Sequence, residues 1–152
     1  GHDVGLMSDC GMPAIADPGS QIVKLAHKHG IQVCPFAGPS SLMMALMASG
    51  FNGQRFAFTG YLPIDAADRK AQIKHLEELI VKYGQSQIII ETPFRNNQLL
   101  KSLVENLSPQ ICISISTNLM NENEQNISKS VLEWKKSLPD LNKQEAVFII
   151  GI

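Results

Sequence analysis

The sequence has 152 residues, of which 44% are hydrophobic and 18% charged, and its formal net charge is -1. This balance excludes a disordered or collagen-like chain and predicts a globular protein with one large core or two small ones. No apolar run approaches the roughly 20 residues that a membrane span needs. The N-terminus shows no secretory signal, and the three cysteines form neither a CxxC pair nor a zinc-spaced cluster. We therefore expect a cytoplasmic protein with no membrane partner and no metal site.

The N-terminal third alternates between strand-like and helix-like segments. Residues 3–7 (DVGLM) and 31–36 (IQVCPF) are short and apolar, as buried strands of a parallel sheet are. Residues 20–29 show the apolar period of an amphipathic helix, and Gly30 is suited to end it. An apolar second helix is predicted over residues 42–49 (LMMALMAS).

The stretch FNGQR at residues 51–55 interrupts this pattern with an Asn-Gly turn signal, so we place a domain boundary there. Residues 1–52 are then predicted to be the C-terminal portion of a first α/β domain, and residues 53–152 a second α/β domain.

The second domain is predicted to alternate strands and helices in the same way. Its strands are predicted at 56–62, 87–91, 110–116 and 145–152. Three helices are predicted: one that ends at Gly84, one over 93–107 that begins with Pro93, and one over 128–138. A polar loop is expected at 118–126. Strands separated by helices of this length imply crossover connections, so the predicted fold class is α/β.

Three predicted loops follow the carboxyl ends of strands, where open α/β sheets bind their ligands. They are residues 8–19 (SDCGMPAIADPG), 37–41 (AGPSS) and 91–95 (ETPFR). A glycine lets backbone approach a ligand closely, and serines at a helix N-terminus stabilise an anionic group. Turn and cap chemistry alone would explain each loop taken singly. Taken together at one sheet edge, the three predict a binding cleft.

Four motifs carry a family resemblance in a fixed order: VGLMSDCGMPAIADPG, PFAGPSSLMMALMASG, RFAFTGYLP and IIIETPFR. The chain resembles the tetrapyrrole methylase superfamily and, within it, the ribosomal small-subunit RNA 2′-O-methyltransferase I family. That family typically shows SDAGxPxISDPG, PGPxA, F-x-x-x-GFLP and YExPHR-like segments in this order. Any one motif is weak, whereas four in register are specific.

The resemblance implies an S-adenosylmethionine-dependent methyltransferase with two α/β domains, the cofactor in the cleft between them, and a homodimer. We predict that this dimer is built on the 42–49 helix and neighbouring strands. It also implies which residues bind the cofactor. The first domain would contribute Asp9, Cys10, Gly11, Met12, Pro13 and Ile15, the junction Ser40 and Ser41, and the second domain Thr92 and Ala146.

The chain departs from the family pattern in three respects. The upstream strand and Gly/Pro-rich loop with which the superfamily begins are absent from this sequence, so we expect the 152-residue chain alone to be inactive. Thr117 and Asn118 stand where relatives usually carry an Arg-Glu pair, and Phe94 stands where they usually carry a histidine. The last two differences leave the fold in place but weaken the inference of a ribosomal RNA substrate.

Three basic residues are candidates for contacts with RNA phosphates: Arg69, Lys70 and Arg95. A solvated helix face explains the first two equally well, and Arg95 has Glu91 four residues earlier as an alternative partner. No convincing catalytic base is present. Three functions stay open: a methyltransferase acting on small-subunit ribosomal RNA, one acting on a tetrapyrrole or another small molecule, and a non-catalytic dimerisation module that retains the fold.

Overall fold

The computed structural model describes residues 1–9 and 11–152. Within them the chain divides into two units, residues 1–41 and 42–152. The domain boundary predicted between residues 52 and 53 stays a prediction. No helix in the described ranges is both long enough and apolar enough to cross a membrane.

The second unit is built on a five-stranded mixed sheet. Its strands are β1 (Phe56–Gly60), β2 (Ser86–Ile90), β3 (Cys112–Thr117), β4 (Gln125–Ser130) and β5 (Ala146–Gly151), in the spatial order β1-β2-β5-β3-β4. β1 and β2 pair in parallel, and the other three pairs are antiparallel. Consequently β1, β2 and β3 run in one direction and β4 and β5 in the other. The α/β class predicted for this part is confirmed.

The helices are α1 (Ser20–Lys28), α2 (Ser41–Ser49), α3 (Ala66–Tyr83), α4 (Asn96–Asn106) and α5 (Val131–Trp134). The limits of α3 follow from local signals. The Asp65 carboxylate accepts hydrogen bonds from the backbone N–H groups of Ala67 and Asp68, and Gly84 ends the helix with φ of 62°.

Both faces of the sheet are buried at its centre. Ile89 of β2 and Phe148 of β5 face α3 and α4 in the larger core, which Trp134 completes. Ile88 and Ile149, on the opposite face of the same strands, pack with the apolar side of α2. Because successive strand residues point to opposite faces, a strand covered on both sides must be apolar throughout. The uninterrupted runs QIIIE and AVFIIGI are therefore the signature of this burial.

The strands predicted at residues 3–7 and 31–36 are not formed, and this prediction was wrong for the chain as described. α1 is the only complete regular element among the described residues of the first unit, and most side chains of both apolar segments are exposed. A strand exists only by pairing its backbone groups with a neighbour. The two segments do not pair with each other or with any other described segment.

Two boundaries in the second unit also differ from the predictions. α4 begins at Asn96, so Pro93 lies in a turn before the helix rather than in its first turn. Residues 128–130 belong to β4, and α5 contains only Val131–Trp134, so the helix predicted over 128–138 is largely wrong. β4 is an edge strand of mainly polar residues, with Ile127 packed against the core, and it lacks the apolar run by which buried strands are recognised.

Candidate functional site

The ends of β1, β2 and β3 and the start of β5 meet at one edge of the sheet, which we call the carboxyl edge (residues 60–61, 90–95, 117–118 and 145–146). The predicted cofactor residues Thr92 and Ala146 both lie there. Ile90 pairs with Val147, so Thr92 follows the end of β2 beside the strand that Ala146 begins. The topology thus brings together the two site residues predicted for the second domain.

The turn after β2 is held by one carboxylate. Oε1 of Glu91 accepts hydrogen bonds from Thr92 N–H at 2.7 Å and from Nη2 and Nε of Arg95 at 2.6 and 3.0 Å. The Arg95 N–H in turn donates to the Thr92 carbonyl at 2.9 Å. The structure confirms the Glu91–Arg95 ion pair, and the Arg95 side chain remains about one-third exposed. The pair fixes the backbone of Thr92 and leaves one side of Arg95 open to solvent.

The segment 140–145 joins this turn to the start of β5. The Asn97 amide nitrogen donates to Asp140 Oδ1 at 2.7 Å, and Asn97 Oδ1 accepts from Leu141 N–H at 2.7 Å. The Asn97 amide, followed by the N–H of Asn142, lowers the pKa of Asp140. Lys143 N–H donates to the Pro93 carbonyl at 3.1 Å. These bonds tie the N-terminal end of α4 and the turn after β2 to the backbone that precedes Ala146.

Asn96 lies at the start of α4 and is fully buried. Its amide nitrogen donates to the Gln144 carbonyl at 2.7 Å, whereas its Oδ1 has no hydrogen-bond partner in the described part of the chain. Neither Asn96 nor Asn97 is among the predicted site residues, because the helix predicted over 93–107 begins at Pro93 and simply includes both asparagines. Their preference for helix starts was the available signal.

The loop after β3 occupies the position where relatives carry an Arg-Glu pair. Asn118 and Met120 have φ of 50° and 67°, in the left-handed region. The Asn118 N–H donates to the Glu145 carbonyl at 3.0 Å. The Met120 N–H, followed by the Asn126 amide, lowers the pKa of Glu124 by donating to its carboxylate. The loop is thus closed on itself by an acidic side chain, and it brings no cation to the carboxyl edge.

Five further predicted cofactor residues lie in one loop of the first unit: Asp9, Gly11, Met12, Pro13 and Ile15. Cys10 lies outside the described residues; Asp9 and Ile15 are exposed, and Met12 and Pro13 are half-buried. The Ile15 N–H donates to the Met12 carbonyl at 3.3 Å, which folds the loop back on itself.

Two glycines of this loop have different environments. Gly19 has φ of 139°, and a Cβ built on it would lie 3.3 Å from the Ala14 backbone nitrogen as well as 2.8 Å from Leu6 Cδ2, so the fold favours glycine there. Gly11 has φ of 77°, and a Cβ built on it would meet nothing within 4 Å. Within the described residues, nothing therefore limits close approach to the Gly11 backbone.

Ser40 is buried, and Ser41 begins α2 and is exposed. The structure therefore places both at a helix N-terminus, as the sequence predicts. Their role in binding a cofactor stays a prediction, as does that of the loop around Gly11.

The predicted phosphate-binding residues of α3 have separate environments. Lys70 is exposed, whereas Arg69 is buried. The Arg69 guanidinium donates to the carbonyls of Pro63 and Ile64 at 3.1 and 2.7 Å and to Ser102 Oγ at 3.0 Å. These contacts favour a structural role for Arg69 over the phosphate contact that its position in the sequence suggested.

The described residues contain no group of three His, Cys, Asp or Glu side chains arranged to hold a metal ion. None of the histidines is among the predicted site residues, and His75 lies within 3.9 Å of the Glu78 carboxylate on exposed α3 surface. The carboxyl edge offers a turn that Glu91 fixes and the partly exposed cationic side chain of Arg95. Such an arrangement can bind and orient a ligand.

No family model matches the chain. Curated relatives named "Ribosomal RNA small subunit methyltransferase I" do match. That of Haemophilus influenzae is 30% identical over 99% of this chain and 53% of its own length, and that of Hydrogenobaculum sp. is 31% identical over 99% and 64%. That of Pseudomonas aeruginosa is 40% identical over 69% of this chain and 35% of its own length. The chain thus spans between about one-third and two-thirds of the length of these relatives.

Two solved structures share the fold. The methyltransferase CobJ matches with a TM-score of 0.60 and 14% identity, over 93% of this chain and 61% of its own. A conserved hypothetical protein from Aeropyrum pernix matches with a TM-score of 0.62 and 15% identity, over 93% and 55%. At this identity the likeness concerns the fold alone. With the relatives, it confirms the resemblance inferred from the four motifs.

Proposed function

The chain belongs to the family of the ribosomal RNA small subunit methyltransferase I proteins, and from this premise we propose that it acts as part of an S-adenosylmethionine-dependent methyltransferase. The acceptor we propose is a ribose 2′-hydroxyl of small-subunit ribosomal RNA, modified in the cytoplasm. The observation that carries the proposal is the similarity to named relatives along 99% of the chain. All four motifs lie within that span.

The residues present fit the cofactor in two respects. The open space beside the Gly11 backbone would let a ligand approach main-chain groups that a side chain would otherwise cover. At the carboxyl edge, Glu91 fixes the backbone of Thr92 at the end of β2, beside Ala146. We therefore assign cofactor binding to the predicted set: Asp9, Cys10, Gly11, Met12, Pro13, Ile15, Ser40, Ser41, Thr92 and Ala146.

When bound, S-adenosylmethionine supplies an electrophilic methyl group on a sulfonium sulfur. The task of the protein is to bring the acceptor oxygen into line with that methyl and to exclude water, which is catalysis by proximity and orientation. A rigid backbone site suits this task, because the turn after β2 and segment 140–145 are fixed by their own hydrogen bonds. We assign no catalytic base within this chain.

For RNA contacts we retain Lys70 and Arg95, which keep solvent-accessible cationic groups. Arg69 would serve indirectly, by holding the loop that follows β1. The proposed homodimer would use α2, whose Leu42, Ala45 and Leu46 are buried whereas Met43 and Met47 are exposed. Mass measurement by light scattering at micromolar concentration tests it, and a monomer would contradict it.

The experiment uses the full-length protein that contains this sequence. Calorimetric titration with S-adenosylhomocysteine should show one site per chain, and tritium from labelled cofactor should enter small ribosomal subunits that lack the modification. Cofactor binding without transfer to ribosomal RNA would favour a small-molecule acceptor. Absence of cofactor binding would favour the non-catalytic dimerisation module. The isolated 152-residue chain should be inactive in the same assay.

A further inference from the structure

The loop that follows β1, residues 61–65, is held from both sides. Leu62 is buried in the larger core, and the Asp65 side chain caps α3. Between them, the Arg69 guanidinium holds the carbonyls of Pro63 and Ile64. Every residue of the loop after Tyr61 therefore has a backbone or side-chain anchor.

Arg69 joins this loop to a second element. Its Nε donates to Ser102 Oγ on α4 at 3.0 Å, and the arginine itself is buried. A buried guanidinium that donates to three internal acceptors is held in one position, because moving it would leave a buried charged group without hydrogen-bond partners. The loop backbone is consequently fixed relative to α3 and α4.

On this fixed loop the Tyr61 side chain is 57% exposed. Phe94, in the turn after the neighbouring strand β2, is 74% exposed. Because β1 and β2 are adjacent and parallel, both aromatic residues lie at the carboxyl edge of the sheet. Exposed Lys70 directly follows the arginine that holds the loop. Exposed aromatic rings at this edge and an exposed lysine near the start of α3 supply the chemistry that recognises unpaired nucleotides, whose bases stack while their phosphates attract positive charge.

We propose that the 61–65 loop binds an unpaired nucleotide of the RNA acceptor, with its base stacked on the Tyr61 ring and its phosphate facing Lys70. This inference rests on the proposed function and adds to it the substrate class, single-stranded rather than base-paired RNA. Arg69 acts as a positioning residue. Because Arg69 already orders the loop in the free protein, RNA binding costs less conformational entropy.

The test compares three variants of the full-length protein. Tyr61→Leu removes the ring and keeps an apolar side chain, whereas Tyr61→Phe keeps the stacking face. Tyr83→Leu is the matched control, because Tyr83 is the only other tyrosine and is 47% exposed in the last turn of α3. The measurements are the KM and kcat for unmodified small subunits, and binding of a fluorescent single-stranded oligoribonucleotide and of its duplex. Titration with S-adenosylhomocysteine reports the cofactor site independently.

Loss of one base–aromatic stack should weaken binding about ten-fold. We expect Tyr61→Leu to raise the KM for subunits and the Kd for the single strand by about that factor. The kcat, the cofactor affinity and the weaker duplex binding should be unchanged, and Tyr61→Phe and Tyr83→Leu should resemble the parent.

Equal effects of Tyr61→Leu and Tyr83→Leu, or equal loss of single-strand and duplex binding, would overturn the proposal. A change of oligomeric state in Tyr61→Leu would instead identify the loop as a protein interface. If the parent fails to bind S-adenosylhomocysteine or to methylate subunits, the proposed function fails. In that case, comparing oligoribonucleotide binding by the parent and by Tyr61→Leu still shows whether Tyr61 contacts RNA.

Discussion

A single methyl group added at Gly11 would test whether the loop after Ser8 lies against the cofactor. Gly11 has φ of 77°, and a Cβ at this position meets no atom of the described chain within 4 Å. The substitution Gly11→Ala therefore has no packing cost within the protein. Its cost to the fold is the left-handed backbone alone, about 1–2 kcal/mol for a residue with a side chain.

The chain provides a matched control at Gly30, which follows the C-cap of α1. Its φ is 66°, and a Cβ there also meets nothing within 4 Å. Gly30→Ala should therefore lower the free energy of unfolding by a similar amount, about 1–2 kcal/mol. Only Gly11 lies in the predicted cofactor loop, so only Gly11→Ala should place a methyl group between the backbone and the ligand. Loss of a close backbone contact should lower cofactor affinity at least about ten-fold.

The assay pairs urea denaturation with calorimetric titration of S-adenosylhomocysteine, both on the full-length protein. We expect the two variants to lose similar stability and only Gly11→Ala to lose cofactor affinity. Equal cofactor affinity in the two variants would remove Gly11 from the site. A much larger loss of stability in Gly11→Ala would show that the open space is filled by the protein itself.

Two further predictions concern buried charges in the second unit. Arg69→Met should lower the free energy of unfolding by about 2–4 kcal/mol, because it leaves Ser102 and two loop carbonyls without a hydrogen-bond donor. Urea denaturation measures this loss, and Arg69→Lys should restore part of the stability. A loss below about 1 kcal/mol in Arg69→Met would contradict the reasoning. Burial opposes ionisation of Glu77, but hydrogen bonds from Ser108 and Lys74 outweigh it and lower its pKa below 4.5. The stabilisation from ionised Glu77 is therefore present above pH 4.5 and lost as pH falls through the lowered pKa. The stability difference between the parent and Glu77→Gln should shrink as the pH falls below about 4.5, and a constant difference would contradict this reasoning.

The elements that the sequence predicted well are those whose causes are local. β2 and β5 are apolar runs because both faces of each are covered. α3 ends at Gly84, as predicted, where the glycine adopts the left-handed conformation that ends a helix. In each case a stretch of fewer than about twenty residues contains the signal for its own structure. The pattern of apolar residues and the glycine at the helix end are enough to predict these elements.

The elements that were mispredicted depend on distant partners. Residues 3–7 and 31–36 have strand composition, yet strand formation needs neighbours that local sequence cannot supply. β4 presents the opposite case: its polar residues gain strand structure by pairing with all six residues of β3. Residues 93–95 have helix-start composition, but Glu91 fixes them as a turn. Pairing and ion-pair contacts thus override local preference where that preference is weak.

The same difference between local causes and distant partners applies to single residues of the candidate site. In the printed sequence, Gly11 and Gly19 are two equivalent turn glycines of one loop. The structure separates them, because Leu6 fills the space beside Gly19 whereas nothing in the described chain fills the space beside Gly11. The fold itself accounts for Gly19, since a side chain there would collide with its own protein. At Gly11 only the φ of 77° favours glycine, since a Cβ there would meet no atom of the described chain. Packing within the described chain therefore does not constrain Gly11, which is why this residue gives the sharpest test of the predicted cofactor site.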